Sequence, residues 1–268
     1  MQNESADYAV IPFENSTNGS VVQTLDLLAD RTGLNSNISV CGEHYLTVHH
    51  CLLRHKTTRP LRREDYKSIT KLYTHPQAWG QCESFLRKYF PGVERQDVSS
   101  TSKAAEIVSK DESGESAAIA SKLAGVHHGT EILDENIEDR ADNTTRFLIL
   151  RNSRSERSAD VSRYLLNNAK KDTNAKRKTL ISFMIEHSSP GALADALLIF
   201  KAYGLNLTSI NSRPSLIRPW QYIFFVECEQ ISESHSSDSM KATLDDLTQI
   251  CKACRDLGTW EEEIVAST

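Results

Sequence analysis

Apolar residues fall into short runs separated by polar turns, and the period of each run predicts the element it forms. Tyr8 to Phe13 reads as a strand, and Glu14 to Ser20 is a polar turn. Val21, Val22, Leu25 and Leu28 then recur at helical spacing. A turn ahead of a helix aims backbone N–H groups forward and makes an anion site. Capping of that helix by Ser16 or Thr17 is the plainer alternative. Tyr45 to Leu53 alternates as a strand, Arg54 to Asp65 is a charged loop, and Ile69 to Tyr73 is a short strand. Pro76 suits the first turn of a helix whose buried face is Ala78, Cys82, Phe85, Leu86 and Tyr89. Gln77 and Gln81, four apart, share another face, with Thr74 at the N-terminal end. Two amides and a hydroxyl there suit carboxylate or hydroxyl groups, or form a solvated face.

Val93 to Val98 reads as a strand, and Ser100 or Thr101 caps the next helix. Ala117 to Ser121 is a small-residue strand running into a helix, and Glu131 to Leu133 is another strand. This alternation predicts α/β architecture with largely parallel pairing. Asn143 to Leu150 begins with an amide, two hydroxyls and a guanidinium and ends as a buried strand. From Arg151 to Lys178 the chain carries nine Lys/Arg against three acids. This reads as a solvated basic linker, with Val161 to Leu166 as one or two helical turns. Beyond it come a strand (Leu180 to Glu186) and a helix opened by Pro190-Gly191. Strands at Asn206 to Pro214 and Trp220 to Cys228 follow. A helix with Met240, Leu244, Leu247, Ile250, Cys251 and Cys254 on its apolar face and a strand from Thr259 to Ile264 complete the unit. The order βαββαβ over 179–268 is ferredoxin-like, and such sheets commonly pair with a second copy.

Composition changes this picture little. A net charge of −5 gives no reason to expect nucleic acid or an anionic membrane as partner. No apolar run approaches the roughly 20 residues of a spanning helix. The polar, acidic start lacks the pattern of a signal peptide, so a cytoplasmic protein with free thiols is expected. Cys251 and Cys254 have metal-like spacing, but no second pair completes a ligand set, so a core role and no metal are expected. His49-His50 and His127-His128 point to opposite faces if in strands, so packing or surface is the better reading.

These motifs together resemble prephenate dehydratase. Pro12 to Ser16, Gly19-Ser20 and Asp26-Leu27-Leu28 look like that family's P-I-E-N-S, G-S and D-L-L blocks. Thr74 to Gln77 with Gln81-Cys82 looks like its S-H-P-Q…Q-C segment. Ser100-Thr101 with Ala104-Ala105, and Ala117 to Ser121, match two more blocks. Asn143 to Phe147 looks like its N-x-T-R-F signature. The C-terminal unit is similar to an ACT regulatory domain. Gly191-Ala192-Leu193 and Asn211-Ser212-Arg213-Pro214 stand where the family has G-A-L and E-S-R-P. The long linker and the N-S-R-P variant look fungal.

The resemblance implies a two-lobed, periplasmic-binding-protein-like catalytic domain over 1–150, a basic linker over 151–178 and the ACT domain over 179–268. It implies a cofactor-free hydro-lyase of phenylalanine biosynthesis that turns prephenate into phenylpyruvate, a homodimer or homotetramer inhibited by L-phenylalanine. Thr145 is then the hydrogen donor to the departing hydroxyl, and Asn15, Thr74 and Gln81 position substrate. Glu14, Ser16, Thr17, Gln77, Ser100, Thr101, Arg146 and Phe147 make up the rest of the substrate site. Arg146 anchors a carboxylate or, if the strand is regular, turns away from Thr145's face and is structural. The effector set is Gly191, Ala192, Leu193, Asn206, Leu207, Asn211, Ser212, Arg213 and Pro214. Three departures stand out. Thr74 replaces a serine, Asn211 replaces a glutamate, and the family's opening strand and G-P-x-G-T-[FY]-S loop are missing. The first lobe is therefore expected to be incomplete and the chain N-terminally truncated. The rival reading is a catalytically inert, amino-acid-binding regulatory protein.

Overall fold

A computed structural model describes residues 6–57, 63–155, 176–230 and 237–263. In chain order its elements are β1 (Tyr8–Asn15), β2 (Gly19–Ser20), α1 (Val22–Ala29), β3 (Ile38–Thr47), β4 (Cys51–Arg54), a 3-10 turn (Arg63–Ser68), β5 (Lys71–Thr74), α2 (Pro76–Gln81), α3 (Glu83–Tyr89), β6 (Glu94–Asp97) and α4 (Thr101–Ser109). There follow β7 (Ser116–Ala120), α5 (Lys122–His128), β8 (Glu131–Glu135), β9 (Thr144–Asn152), β10 (Arg177–Met184), α6 (Ala192–Ala202), β11 (Leu205–Pro214), β12 (Tyr222–Gln230), α7 (Ser237–Ile250) and β13 (Ala253–Glu261). The fold is mixed α/β. The chain divides into two compact units, Met1–Leu46 with Thr145–Thr268, and Thr47–Thr144.

The first unit holds two four-stranded sheets, ordered β2-β1-β9-β3 and β11-β12-β10-β13. The second has the ferredoxin-like βαββαβ order. Alternation along its strands gives it two apolar faces. Ile181, Phe183, Val226 and Cys228 pack under the two helices with Phe200 and Leu247. Leu180, Phe225, Leu257 and Trp260 instead share a core with Phe13, Leu25, Val40 and Leu148 of the other sheet and its helix. The helix-free face of the C-terminal sheet is therefore covered by the strands that precede it in the chain. Within this packing lies Gly258, with φ +131°. A Cβ there would come within 2.1 Å of the Val40 carbonyl oxygen. Beside it the β10–β13 register skips Leu257.

The second unit is a five-stranded sheet, β6-β5-β7-β4-β8. β4 is buried along its whole length. β5 pairs in parallel with β6 and β7, whereas β4 is antiparallel to β7 and β8. The expected largely parallel pairing thus holds only where helical crossovers join the strands. Three further expectations change. Tyr45 to Leu53 is two strands, because the chain passes from one compact unit to the other at 46/47. The helix after Pro76 breaks at Cys82, whose φ of −128° is not helical. The last helix stops at Ile250, so Cys254 lies in β13 and only half-buried against the core under the helices. Residues 156–175 of the basic tract, Val161 to Leu166 among them, and Ile264 lie outside the described residues, whereas both ends of the tract are strand, Arg151 and Asn152 in β9 and Arg177 and Lys178 in β10.

Candidate active site

Asn15 and Thr145 are cross-strand partners at the ends of antiparallel β1 and β9. Beyond Asn15 the chain reverses through exposed Ser16, Thr17 and Asn18 and returns at Gly19, whose φ of +76° favours glycine. The Asn15 Oδ1 accepts hydrogen bonds from the backbone N–H groups of Thr17 (3.0 Å) and Asn18 (2.9 Å). Those two donors fix the amide orientation, so Nδ2 donates to Thr145 Oγ at 3.0 Å. Thr145 Oγ is thus an acceptor here, which leaves its own hydrogen to be donated. The polar run is a hairpin turn tied by Asn15. Helix α1 starts later, at Val22, behind Val21 with no side-chain cap, so neither Ser16 nor Thr17 caps it. Glu14 and Phe147 flank the pair, both half-buried.

Arg146 does not join this group. Its side chain leaves the opposite face of β9, as alternation requires. It is buried, with Nη1 donating to Glu227 Oε1 at 3.1 Å and Nη2 to Glu227 Oε2. Its guanidinium lies 5.0 Å from the Phe13 ring centroid, and Glu43 stands 3.8 Å from Nε. Burial opposes the charge, but the bonds to Glu227 outweigh it and hold Arg146 above its ordinary range. The expectation that Arg146 binds a substrate carboxylate is corrected: its charge is spent on Glu227.

Thr74, Gln77, Gln81, Ser100 and Thr101 belong to the second unit. Thr74 ends the interior strand β5. It is fully buried, and its hydroxyl donates to the Ile119 carbonyl of β7 at 2.7 Å. A buried hydroxyl must find a partner locally, so Thr74 clips two strands together instead of standing at a surface. Gln81 ends α2 half-buried, its Oε1 2.7 Å from Nε2 of buried His50. Gln77 is exposed on the same helix, which His75 caps through Nδ1. Ser100 caps α4 by accepting from the Lys103 N–H at 3.0 Å, and Thr101 is its first residue. Reading His50 as packing or surface missed its hold on Gln81; its place four residues before a charged loop carried no signal of it.

Along β11 several polar groups expected to face an effector are already engaged. Ser20 Oγ donates to Asn211 Oδ1 at 2.6 Å. Arg213 makes two bonds to Asp26, at 2.8 and 2.9 Å. Arg31 donates to Pro214 O at 2.7 and 2.9 Å. Asn206 donates to Glu229, while Leu207 and Ser212 are exposed. Gly191, with φ +84°, caps α6, and Ala192 and Leu193 are half-buried in its first turn.

A family model described as prephenate dehydratase matches residues 1–155. The bifunctional chorismate mutase/prephenate dehydratase of Aquifex aeolicus is 33% identical over 99% of this chain, and the chain spans 64% of that protein's length. The probable prephenate dehydratase of Saccharomyces cerevisiae is 35% identical over 83% of this chain and 73% of its own length. The structure of an Arthrobacter aurescens prephenate dehydratase in complex with L-Phe superposes with a TM-score of 0.76 at 26% identity, covering 99% of this chain and 80% of the other.

Proposed function

Since the chain belongs to the prephenate dehydratase family, we propose that it converts prephenate to phenylpyruvate in phenylalanine biosynthesis. The observation that carries this reading is the Asn15–Thr145 hydrogen bond. In the reaction the bond from the ring to one carboxylate breaks and releases carbon dioxide. Its electron pair enters the ring, which becomes aromatic as the C–O bond to the ring hydroxyl breaks. The hydroxide takes up one proton and leaves as water. Aromatisation supplies the driving force, so the protein must position a dianion and ease departure of the hydroxyl. A carboxylic acid at that point, once ionised, would repel the substrate. A threonine hydroxyl is neutral, and Asn15 Nδ2–H stabilises charge on Oγ as its hydrogen moves toward the leaving oxygen.

In this reading, carried over from the family motifs residue by residue, Ser16 and Thr17, Gln77 and Gln81, and Ser100 and Thr101 each offer hydrogen bonds to the substrate, with Glu14 and Phe147 beside Thr145 on their own sheet. Thr74 supports them by fixing the end of β5. Residues 1–150 form the catalytic domain and 179–268 a regulatory domain that binds L-phenylalanine, as the ligand of the Arthrobacter aurescens relative supports. The effector is recognised by the turn Gly191 to Leu193 and by β11. The protein works as a homodimer or homotetramer in a reducing, cytoplasmic compartment. The test is formation of phenylpyruvate from prephenate by the purified chain, with and without L-phenylalanine. Turnover lost about 100-fold or more in Thr145→Val and kept in Thr145→Ser is the expected result. Phenylalanine binding without turnover would instead favour the inert regulatory reading.

A further inference from the structure

His50 has no part in the roles above, yet both its main chain and its ring are held by hydrogen bonds. It is 5% exposed and sits just before β4. Its backbone N–H donates to Glu138 Oε2 at 2.9 Å, and its carbonyl accepts from the Ile137 N–H at 3.0 Å. Asp139, which follows Glu138, donates its N–H to the Gln81 carbonyl at 2.7 Å. The segment 137–139 therefore clamps the main chains of both His50 and Gln81. Between the two side chains, His50 Nε2 lies 2.7 Å from Gln81 Oε1. Among the described residues His50 Nδ1 is buried with no hydrogen-bond partner. That orphan decides the tautomer. If Nδ1 carried the hydrogen, a buried N–H would go unpaired, which is rarer and costlier than an unpaired ring acceptor. The hydrogen is therefore on Nε2, which donates to Oε1.

We propose that His50 is a positioning residue for substrate binding: it holds the Gln81 carboxamide by its oxygen, so that the amide presents its N–H groups to an oxygen of the anionic substrate. This rests on the reading of Gln81 as a substrate-holding residue. Without the histidine the carboxamide can flip and turn an acceptor toward an anion. The hydrogen bond from the oriented Gln81 amide is made in ground and transition states alike, so its loss falls on KM and not on kcat.

The experiment is steady-state prephenate turnover by His50→Phe, His50→Gln, Gln81→Leu and the double variant His50→Phe/Gln81→Leu. Glutamine places its amide nitrogen as far from Cβ as Nε2 of histidine. The expected result is a KM raised roughly tenfold in His50→Phe, the size of one oriented hydrogen bond. His50→Gln restores it, kcat stays near that of the parent, and His50→Phe has no further effect once Gln81 is leucine. A merely structural role would lower the active fraction, and hence kcat, and would add to Gln81→Leu. That outcome overturns the proposal, as does an unchanged KM in His50→Phe beside a raised KM in Gln81→Leu. An unchanged KM in Gln81→Leu overturns the reading of Gln81, and this inference with it. Should His50→Phe not fold, His50→Asn, one carbon too short to reach Gln81, replaces it with the same expectations.

Discussion

Arg146 of β9 and Glu227 of β12 form a buried two-point ion pair, one residue along the chain from the Thr145 hydroxyl. It ties the strand that carries Thr145 to the C-terminal sheet. Removing one partner of such a pair leaves an uncompensated buried charge. Glu227→Ala is expected to cost about 3–5 kcal/mol in urea unfolding. Arg146→Met/Glu227→Leu, which removes both charges, is expected to cost less than Glu227→Ala alone. A single variant within about 0.5 kcal/mol of the parent would show that the pair contributes no stability.

Asn15→Asp separates the chemistry of the hairpin from its architecture. An aspartate still accepts from the Thr17 and Asn18 N–H groups, so the turn persists. Its second oxygen accepts where Nδ2 donated, and so takes the Thr145 hydrogen meant for the leaving hydroxyl. Turnover is expected to fall about 100-fold with the melting temperature changed little. Activity near the parent's would remove the Asn15 amide from the mechanism.

Much of this was legible in the residue pattern. Apolar runs marked β1, α1 and the whole C-terminal βαββαβ order, because these elements carry their own apolar faces, whereas α4 was marked by its Ser100 or Thr101 cap and β7 by its run of small residues. The alternation rule also held the warning that Arg146 leaves the face of Thr145. What local pattern could not carry were partners distant in sequence. The bond from Ser20 to Asn211 spans 191 residues, and that from Arg213 to Asp26 spans 187. The core shared by Phe13, Leu148 and Phe225 is likewise non-local. The break after Thr47 was missed because Tyr45 to Leu53 alternates straight through it. The bond from His50 to Gln81 joins a strand entrance to a helix end, and neither residue's neighbours signal the other.

Asp26 gives the joint between α1 and β11 a pH dependence. The hydrogen bond from Arg213 and, against the pull of burial, that from Arg31 hold its carboxyl at about 2, below the ordinary 3.8. The folded state is thus the stronger acid. Its contribution is complete above pH 3.8, where the unfolded group is also ionised, and is lost as pH falls toward 2. The parent is therefore expected to lose melting temperature more steeply between pH 4 and 2 than Asp26→Asn. Thermal unfolding across that range checks it, and parallel curves would count against the Arg213–Asp26 bond.

Gly258 is the point at which the C-terminal sheet meets β3 backbone to backbone. Two separate costs attend a side chain there: a φ of +131°, and a Cβ 2.1 Å from the Val40 carbonyl oxygen. Gly92, in a turn with φ +75°, has nothing within 4 Å of a built Cβ, so it isolates the first cost. Gly92→Ala is expected to destabilise by about 1 kcal/mol and Gly258→Ala by about 3–5 kcal/mol, compared by urea unfolding. Because Val40 shares its core with Phe13 and Leu148, the strain from Gly258→Ala reaches β1 and β9, the strands that hold Asn15 and Thr145. Turnover is therefore expected to fall in Gly258→Ala and not in Gly92→Ala. Equal destabilisation of the two variants would mean that β13 and β3 do not meet as closely as this contact requires.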